Sequence, residues 1–352
     1  MKKKVLSLTL TAVMALSMVA CSSNSSTTPA STASDAASST AASSADSAAN
    51  EASSDNAAAD GQAYTVGIVQ LMQHVALDKA TQGFQDALTE KLGDNVSFDV
   101  QMASGEQTNC TTIVTKFIND GVDLIMANAT PAVIAAKEAT STIPIIGTSV
   151  TDYAAPETAI VASNDAPGGN VTGYSDLSDI SAHVELTKKL LPEAKKVAIV
   201  YCSAEPNSVI QGDQAEELYT AAGFETVTLT ASDITTLASV VTSACEQADL
   251  LYIPTDNLFA ENMEAVRNIA EPAGIPVICG EGSMVESGAT ATVSIDYYTL
   301  CYKAGEMAYS IMVEGADPAT TPIGFMSAED MELVINEENV SALGLTIPED
   351  LK

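Results

Sequence analysis

The chain reads as an α/β protein with two doubly wound parallel-sheet lobes, and three observations predict this. From about residue 63 onward, short apolar runs alternate with stretches of 3.6-residue periodicity. Many of the runs are apolar throughout, as a parallel strand covered on both faces requires. The body also repeats itself. Val122-Asp123-Leu124-Ile125, Thr130-Pro131, a helix and Ile143-Pro144-Ile145-Ile146-Gly147 are answered by Ala248-Asp249-Leu250-Leu251, Thr255-Asp256, a helix and Ile275-Pro276-Val277-Ile278-Cys279-Gly280. The openings match as well, Thr65-Val66-Gly67-Ile68-Val69 against Lys196-Val197-Ala198-Ile199-Val200. Alternating β and α implies parallel sheets, and one continuous sheet of that many strands would be unusual.

In the first half the pattern predicts strands at Tyr64–Gln70, Val96–Met102, Val122–Ala127 and Pro144–Gly147, with helices at Leu77–Leu92, Thr108–Asn119 and Pro131–Thr140 between them. Thr130 before Pro131 has the form of an N-cap followed by proline at the first helical position. Gly168-Gly169 marks a turn. A helix around His183 follows, with that histidine expected in solvent. The second half has strands at Val197–Cys202, Glu225–Leu229, Leu250–Pro254, Pro276–Cys279 and Thr290–Ile295. Its helices are Val209–Ala222, Ile234–Gln247, Phe259–Ala273 and Leu300–Glu314.

Residues 1–62 do not fit this pattern. Lys2, Lys3 and Lys4 precede an apolar stretch, Val5 to Val19, which ends in Met18-Val19-Ala20-Cys21. A basic start, a short apolar core and small residues before a cut describe a secretory signal, too short to span a bilayer comfortably. The cysteine after the small residue resembles the lipobox of bacterial lipoproteins, which implies acylation at Cys21. From Ser22 to Gln62 there is no Lys, Arg, aromatic or branched aliphatic residue. Such a segment cannot bury enough apolar surface to offset its conformational entropy. As a flexible coil of about 40 residues it would reach roughly 35 Å, enough to hold a folded body off a membrane.

The chain has 14 Lys and Arg against 46 Asp and Glu; residues 1–20 hold three Lys and no acid, which leaves 11 against 46, a net charge of −35. Nucleic acid is excluded as a partner, since phosphate neutralisation needs a basic face. Arg267 is the sole arginine and lies within a predicted helix. A site that grips a polyanion recruits Arg or Lys, so the ligand is expected to be neutral overall or zwitterionic. Beyond Cys21, Cys110, Cys202, Cys245, Cys279 and Cys301 show no metal-type spacing and read as small buried residues. With two histidines in the chain, a His-rich metal site is excluded, and no cofactor is expected.

In open α/β sheets ligands bind beyond the carboxyl ends of the strands, and a cleft between two lobes is a favoured site. The candidate ligand-binding residues are therefore strand-end polar groups. They are Gln70 and His74 after the first strand, Thr130 after the third, and Thr151 and Asp152 after the fourth. In the second lobe they are Glu205, Asn207 and Ser208, then Asp256 and Asn257, then Glu281, and lastly Asp296. Each has a local explanation as a helix cap or turn residue, and it is the set as a whole that points to a ligand. Helix N-termini suit a carboxylate, and the acidic residues suit an ammonium.

From Tyr64 to Pro348 the chain resembles the substrate-binding lipoproteins of ABC importers, in particular the tryptophan and aromatic amino-acid uptake type. The stretches that carry the resemblance include Gly67-Ile68-Val69-Gln70, Ala129-Thr130-Pro131-Ala132, Asn170-Val171-Thr172-Gly173-Tyr174-Ser175-Asp176, Glu205-Pro206-Asn207-Ser208 and Pro254-Thr255-Asp256-Asn257. Val75 stands where the family commonly has Pro, and Cys301 where Gly is common, departures that bear on ligand identity. The resemblance implies a type I periplasmic-binding-protein fold with three crossovers, expected near Ser163–Thr172, Ser287–Thr290 and Thr320–Gly324. The N-terminal lobe would then comprise 63–165 and 291–321, and the C-terminal lobe 166–290 and 322–352. It further implies a non-enzymatic, monomeric receptor outside the cytoplasm, delivering an amino acid to a membrane permease. The alternatives are a nucleoside or sugar receptor, a ligand sensor for a membrane kinase, and a surface hydrolase using Asp152 with Asp256.

Overall fold

The computed structural model describes residues 62–352; the expected signal segment, Cys21 and nearly all of the tether lie outside the described residues. The apolar runs become the inner strands of two sheets. In the first half these are β1 (Tyr64–Gln70), β2 (Val96–Met102), β3 (Leu124–Asn128), β4 (Ile145–Val150) and β5 (Val171–Ser175). Between them lie α1 (Val75–Leu92), α2 (Gln107–Asp120) and α3 (Thr130–Ala139). Next come α4 (Ile180–Leu190), β6 (Lys196–Cys202), α5 (Pro206–Ala221), β7 (Glu225–Ala231), α6 (Ile234–Cys245) and β8 (Leu250–Ile253). They are followed by α7 (Asn257–Glu261), α8 (Met263–Ala270), β9 (Val277–Cys279), α9 (Gly282–Glu286), β10 (Ala291–Ile295) and α10 (Tyr297–Met312). The chain ends with β11 (Gly324–Phe325), β12 (Met331–Ile335) and α11 (Glu337–Ala342).

One six-stranded sheet has the order β2-β1-β3-β4-β5-β11, the other β7-β6-β8-β9-β10-β12. The two orders correspond strand for strand, so the sequence repeat is a repeat of topology. β1 lies in parallel register between β2 (Ile68 opposite Val100) and β3 (Ile68 opposite Met126). β12 runs antiparallel to β10, with Val293 opposite Leu333. β3, β4 and β8 are buried along their whole length, whereas the edge strands β2 and β7 keep one face partly in solvent, as position in a helix-covered sheet dictates.

The crossovers differ from those expected. β5 pairs with β4 in the first sheet, β10 with β9 in the second, and β11 with β5 in the first. The chain therefore changes lobe after β5, after β10 and after β11, each time one strand later than the expected boundary. The first lobe comprises 63–175 and 297–325, and the second 180–295 and 331–352. The reason is physical: a short strand carries no local mark of the sheet it will join, and its partners decide that. α10 belongs to the first lobe because Leu300, Ala304 and Ala308 pack with Ala80, Phe84 and Leu88 of α1. Glycine permits that approach, since a Cβ on Gly83 would stand 2.2 Å from the Tyr298 carbonyl oxygen.

Other local departures follow the same logic. The long helix expected at Phe259–Ala273 breaks at Asn262 into α7 and α8. His183 is fully buried rather than solvated. It shares the inward face of α4 with Ile180, Val184 and Thr187, and its ring meets the Tyr252 hydroxyl at 3.2 Å and the Val293 carbonyl at 2.9 Å. Cys110, Cys202, Cys279 and Cys301 are buried thiols, while Cys245 is partly exposed. Among the described residues no helix is long and apolar enough to cross a membrane.

Candidate ligand-binding cleft

The carboxyl ends of both sheets face each other, and the helices that follow the strands begin there. A small cavity lies between them, lined from the first lobe by His74, Leu77 and Ser149, and from the second by Asn207, Thr255, Asp256, Asn257 and Glu281. Asp176, the first residue past β5, and Tyr297, the first of α10, close it at the crossovers. Its volume is about 10 Å³, on the scale of one water. An amino acid therefore enters only when the lobes part, and hinge motion about the crossovers is the expected means.

The polar chemistry of this cavity is one-sided. Among the described residues, His74 Nδ1, Asp176 Oδ1, Asn207 Oδ1 and Thr255 Oγ1 are buried without a hydrogen-bond partner. Buried polar atoms are normally paired, and leaving one unpaired costs about 1–3 kcal/mol. Four such atoms round one space mark a recognition surface. Asp176, Glu205, Asp256 and Glu281 are all buried, and among the described residues no Lys or Arg lines the cavity. Burial, together with the Glu281 charge, raises Asp176 to about 6 against the pull of the Tyr297 hydroxyl, which donates to Asp176 Oδ2 at 2.7 Å. Burial raises Glu281 to about 7, opposed by the Ser283 and Tyr297 hydroxyls. Burial and the neighbouring Glu205 carboxylate push Asp256 upward. Such a site favours a ligand that brings a positive charge and N–H donors.

Two of the carboxylates are held by the backbone. Asp256 accepts from the Cys202 and Phe259 amides at 2.6 and 2.9 Å, tying β6 to the start of α7. Glu205 accepts from the Asn257 and Leu258 amides at 3.2 and 3.0 Å and from Asn257 Nδ2 at 2.5 Å. Asp176 Oδ1 remains for a cargo, and Glu281, whose Oε1 accepts from the Ser283 hydroxyl at 2.7 Å, offers its other oxygen. On the first lobe, Ala129 (φ 99°), just past β3, and Ser149 (φ 54°), near the end of β4, have strained backbones, a state that clusters at binding sites. Two bonds cross between the lobes here. Gln211 Nε2 donates to Thr151 Oγ1 at 2.8 Å, and His74 Nε2 pairs with Asn257 Oδ1 at 3.2 Å. Beyond the latter lies a second interlobe cavity of about 370 Å³, with apolar walls from Leu71, Met72, Pro131 and Leu258 and a rim that includes Glu106 and Glu261.

Of the residues singled out in the sequence, His74, Asn207, Asp256, Asn257 and Glu281 line the inner cavity, and Glu205 lines the outer one. Gln70, Thr130 and Ser208 are buried nearby without lining either. Gln70 is engaged with Met72 O, Asp78 and Thr81, bracing the turn that carries His74. Thr151 is taken by Gln211. Asp152 and Asp296 do not line the inner cavity. Asp152 accepts from the Ala154 and Ala155 amides within its own loop, and exposed Asp296 caps α10 through the Thr299 amide. The proposed hydrolytic pairing of Asp152 with Asp256 therefore has no shared space. Of the other polar lining residues, Ser149, Thr255 and Tyr297 belong to the strand-end segments of the sequence but not to the candidate set, and Asp176 has no place in either. Their signal was present, since all four stand at or just past strand ends.

The chain matches the family described as ABC transporter substrate binding protein over residues 65–352. A protein named tyrosine-binding protein from Clostridioides difficile (strain R20291) is 36% identical over 348 residues, 97% of this chain and 93% of that one. A domain from Streptococcus pneumonia solved in complex with L-Trp is 32% identical, with TM-score 0.79 over 82% of this chain and 97% of the other. A ligand-free, open substrate-binding protein with adhesive properties from Clostridium difficile is 36% identical, with TM-score 0.63 over 82% and 97%. The chain superposes better on the L-Trp complex than on the ligand-free, open protein, although the latter is the more similar in sequence. With its two doubly wound lobes and interlobe cleft, the chain belongs to the family of ABC transporter substrate-binding proteins.

Proposed function

We propose that the protein captures an amino acid with an aromatic or other apolar side chain between its lobes and delivers it to a membrane permease driven by a separate ATPase. The observation that carries this reading is the inner cavity, acidic and rich in acceptors that, among the described residues, have no partner and no lysine or arginine beside them in the lining. An α-ammonium supplies the missing charge and three N–H donors. Asp176 Oδ1, Asn207 Oδ1 and the Glu281 carboxyl are its natural acceptors. The Thr255 hydroxyl, buried without a partner among the described residues, stands ready for the carboxylate, and the apolar walls of the outer cavity suit a ring. Relatives named for tyrosine or solved with L-Trp support the aromatic class.

The protein acts by binding and closure, as a monomer outside the cytoplasm, held at the membrane by lipid on Cys21. Isothermal titration against the amino acids tests the ligand class, with sub-millimolar affinity expected for an aromatic member. No amino acid binding tighter than millimolar would overturn it. Cys21→Ser should move the protein from the membrane fraction to the medium, and continued membrane retention would refute the anchor.

A further inference from the structure

We propose that His74 is a specificity-determining residue: its Nδ1 accepts a hydrogen bond from an N–H or O–H on the ligand's ring, so the cleft selects aromatic amino acids with a ring donor over phenylalanine. The inference rests on the amino-acid reading above.

Glu205 sets the orientation of the His74 ring. Four N–H groups point at its two oxygens, from Asn207 Nδ2, the Asn257 and Leu258 amides and Asn257 Nδ2. Both oxygens are therefore acceptors, and the group facing them from Asn257 must be its NH2. That orients the Asn257 side chain and turns its Oδ1 toward His74 Nε2, 3.2 Å away. An amide oxygen cannot donate, so His74 Nε2 carries the proton. In the neutral ring Nδ1 is then a bare acceptor. It is buried and has no partner among the described residues.

The ring is neutral and fixed. Burial lowers the His74 pKa and outweighs the nearby carboxylates of Glu205, Asp78 and Glu261. Its turn is braced by Gln70 Nε2, which donates to Met72 O at 2.9 Å and to Asp78 at 2.7 Å, and by the Asp78 amide, which donates to His74 O at 3.0 Å. An acceptor so held loses little freedom on binding.

What meets Nδ1 follows from counting donors. An ammonium has three N–H groups, and Asp176, Asn207 and Glu281 offer it acceptors, two of them charged. The apolar outer cavity is reached from His74 over a short stretch of chain: Met72 and Leu258, which wall it, stand within two residues of His74 and of its partner Asn257. A ring extending from the inner cavity into the outer one passes His74. A site built to hydrogen-bond a ligand group rejects the analogue that lacks it far more strongly than an apolar pocket rejects a change of size.

The test is titration calorimetry of L-tyrosine, L-tryptophan, O-methyl-L-tyrosine and L-phenylalanine, with wild type, His74→Phe and His74→Gln, each checked for folding by its melt. The wild type is expected to bind at least one donor-bearing ligand ~100-fold more tightly than phenylalanine. His74→Phe also loses the interlobe bond to Asn257 and so weakens every ligand, phenylalanine included. The ratio is what reads the proposal: the ~100-fold preference is expected to fall to within about 3-fold, with His74→Gln, whose amide oxygen accepts, restoring part of it. Equal weakening of every ligand by His74→Phe would overturn the proposal, as would a wild type that binds phenylalanine as tightly as tyrosine and tryptophan. Failure of the wild type to bind any aromatic amino acid would overturn the amino-acid reading together with this one.

Discussion

Replacing Asp176 by Asn should raise stability and lower affinity, and the opposed signs make it a sharp test. The carboxyl is 2% exposed, and its Oδ1 has no partner among the described residues. Raising its pKa from 3.8 to about 6 disfavours the ionised form by about 3 kcal/mol. That penalty is absent below pH 3.8, grows as pH rises and is fully present above about pH 6. At pH 7.5 the ligand-free variant escapes it, since Asn is neutral and can still accept from Tyr297. A gain of about 1–3 kcal/mol is expected, shrinking to nothing as pH falls toward 4. Ligand binding should respond in the opposite sense. Losing a hydrogen bond to a charged partner costs about 1.5–3 kcal/mol, about ten- to a hundredfold in Kd. Thermal melts across pH and titration calorimetry give both numbers. Unchanged affinity with raised stability would mean that Asp176 does not hold the ammonium, and lowered stability would mean that its charge is already compensated.

Three further outcomes follow from the same geometry. Affinity for the amino acid should weaken as pH is lowered through about 7 to 6, because Glu281 and Asp176 take up protons there and lose the charge that attracts the ammonium; titrations at pH 8 and 5 of equal Kd would contradict this. Gln211→Ala removes the bond to Thr151 that joins the lobes, so Kd should rise about 2- to 10-fold and small-angle scattering should show a wider mean opening. His183→Leu strands the Tyr252 hydroxyl in the second lobe's core, and chemical denaturation should show a loss of about 2–4 kcal/mol whatever the ligand.

The repeated β/α pattern made two lobes legible, and the strand-end rule led directly to Asn207, Asp256, Asn257 and Glu281. What stayed hidden shares one cause. β5 is five residues long and contains Gly173, so its signal as a strand is weak. With β5 unseen, Asp176 did not register as a strand-end residue, and the first crossover was placed too early. Asp296 shows the converse: it does follow a strand, yet β10 ends at a crossover, where Asp296 turns outward as a helix cap and Tyr297 turns inward. His183 was read from its polarity alone, while the partners that bury it, Tyr252 and Val293, lie 69 and 110 residues away. Local pattern carries element type and order; which face looks inward at a crossover is decided by contacts between distant segments.

The most direct test of the account is a crystal structure of the protein grown with L-tyrosine and with L-tryptophan. The account predicts the amino acid enclosed between the lobes, its ammonium within hydrogen-bond reach of Asp176 and its ring beside His74. An amino acid seated on the outer surface of one lobe, or a closed cleft whose acceptors face no ligand nitrogen, would contradict it.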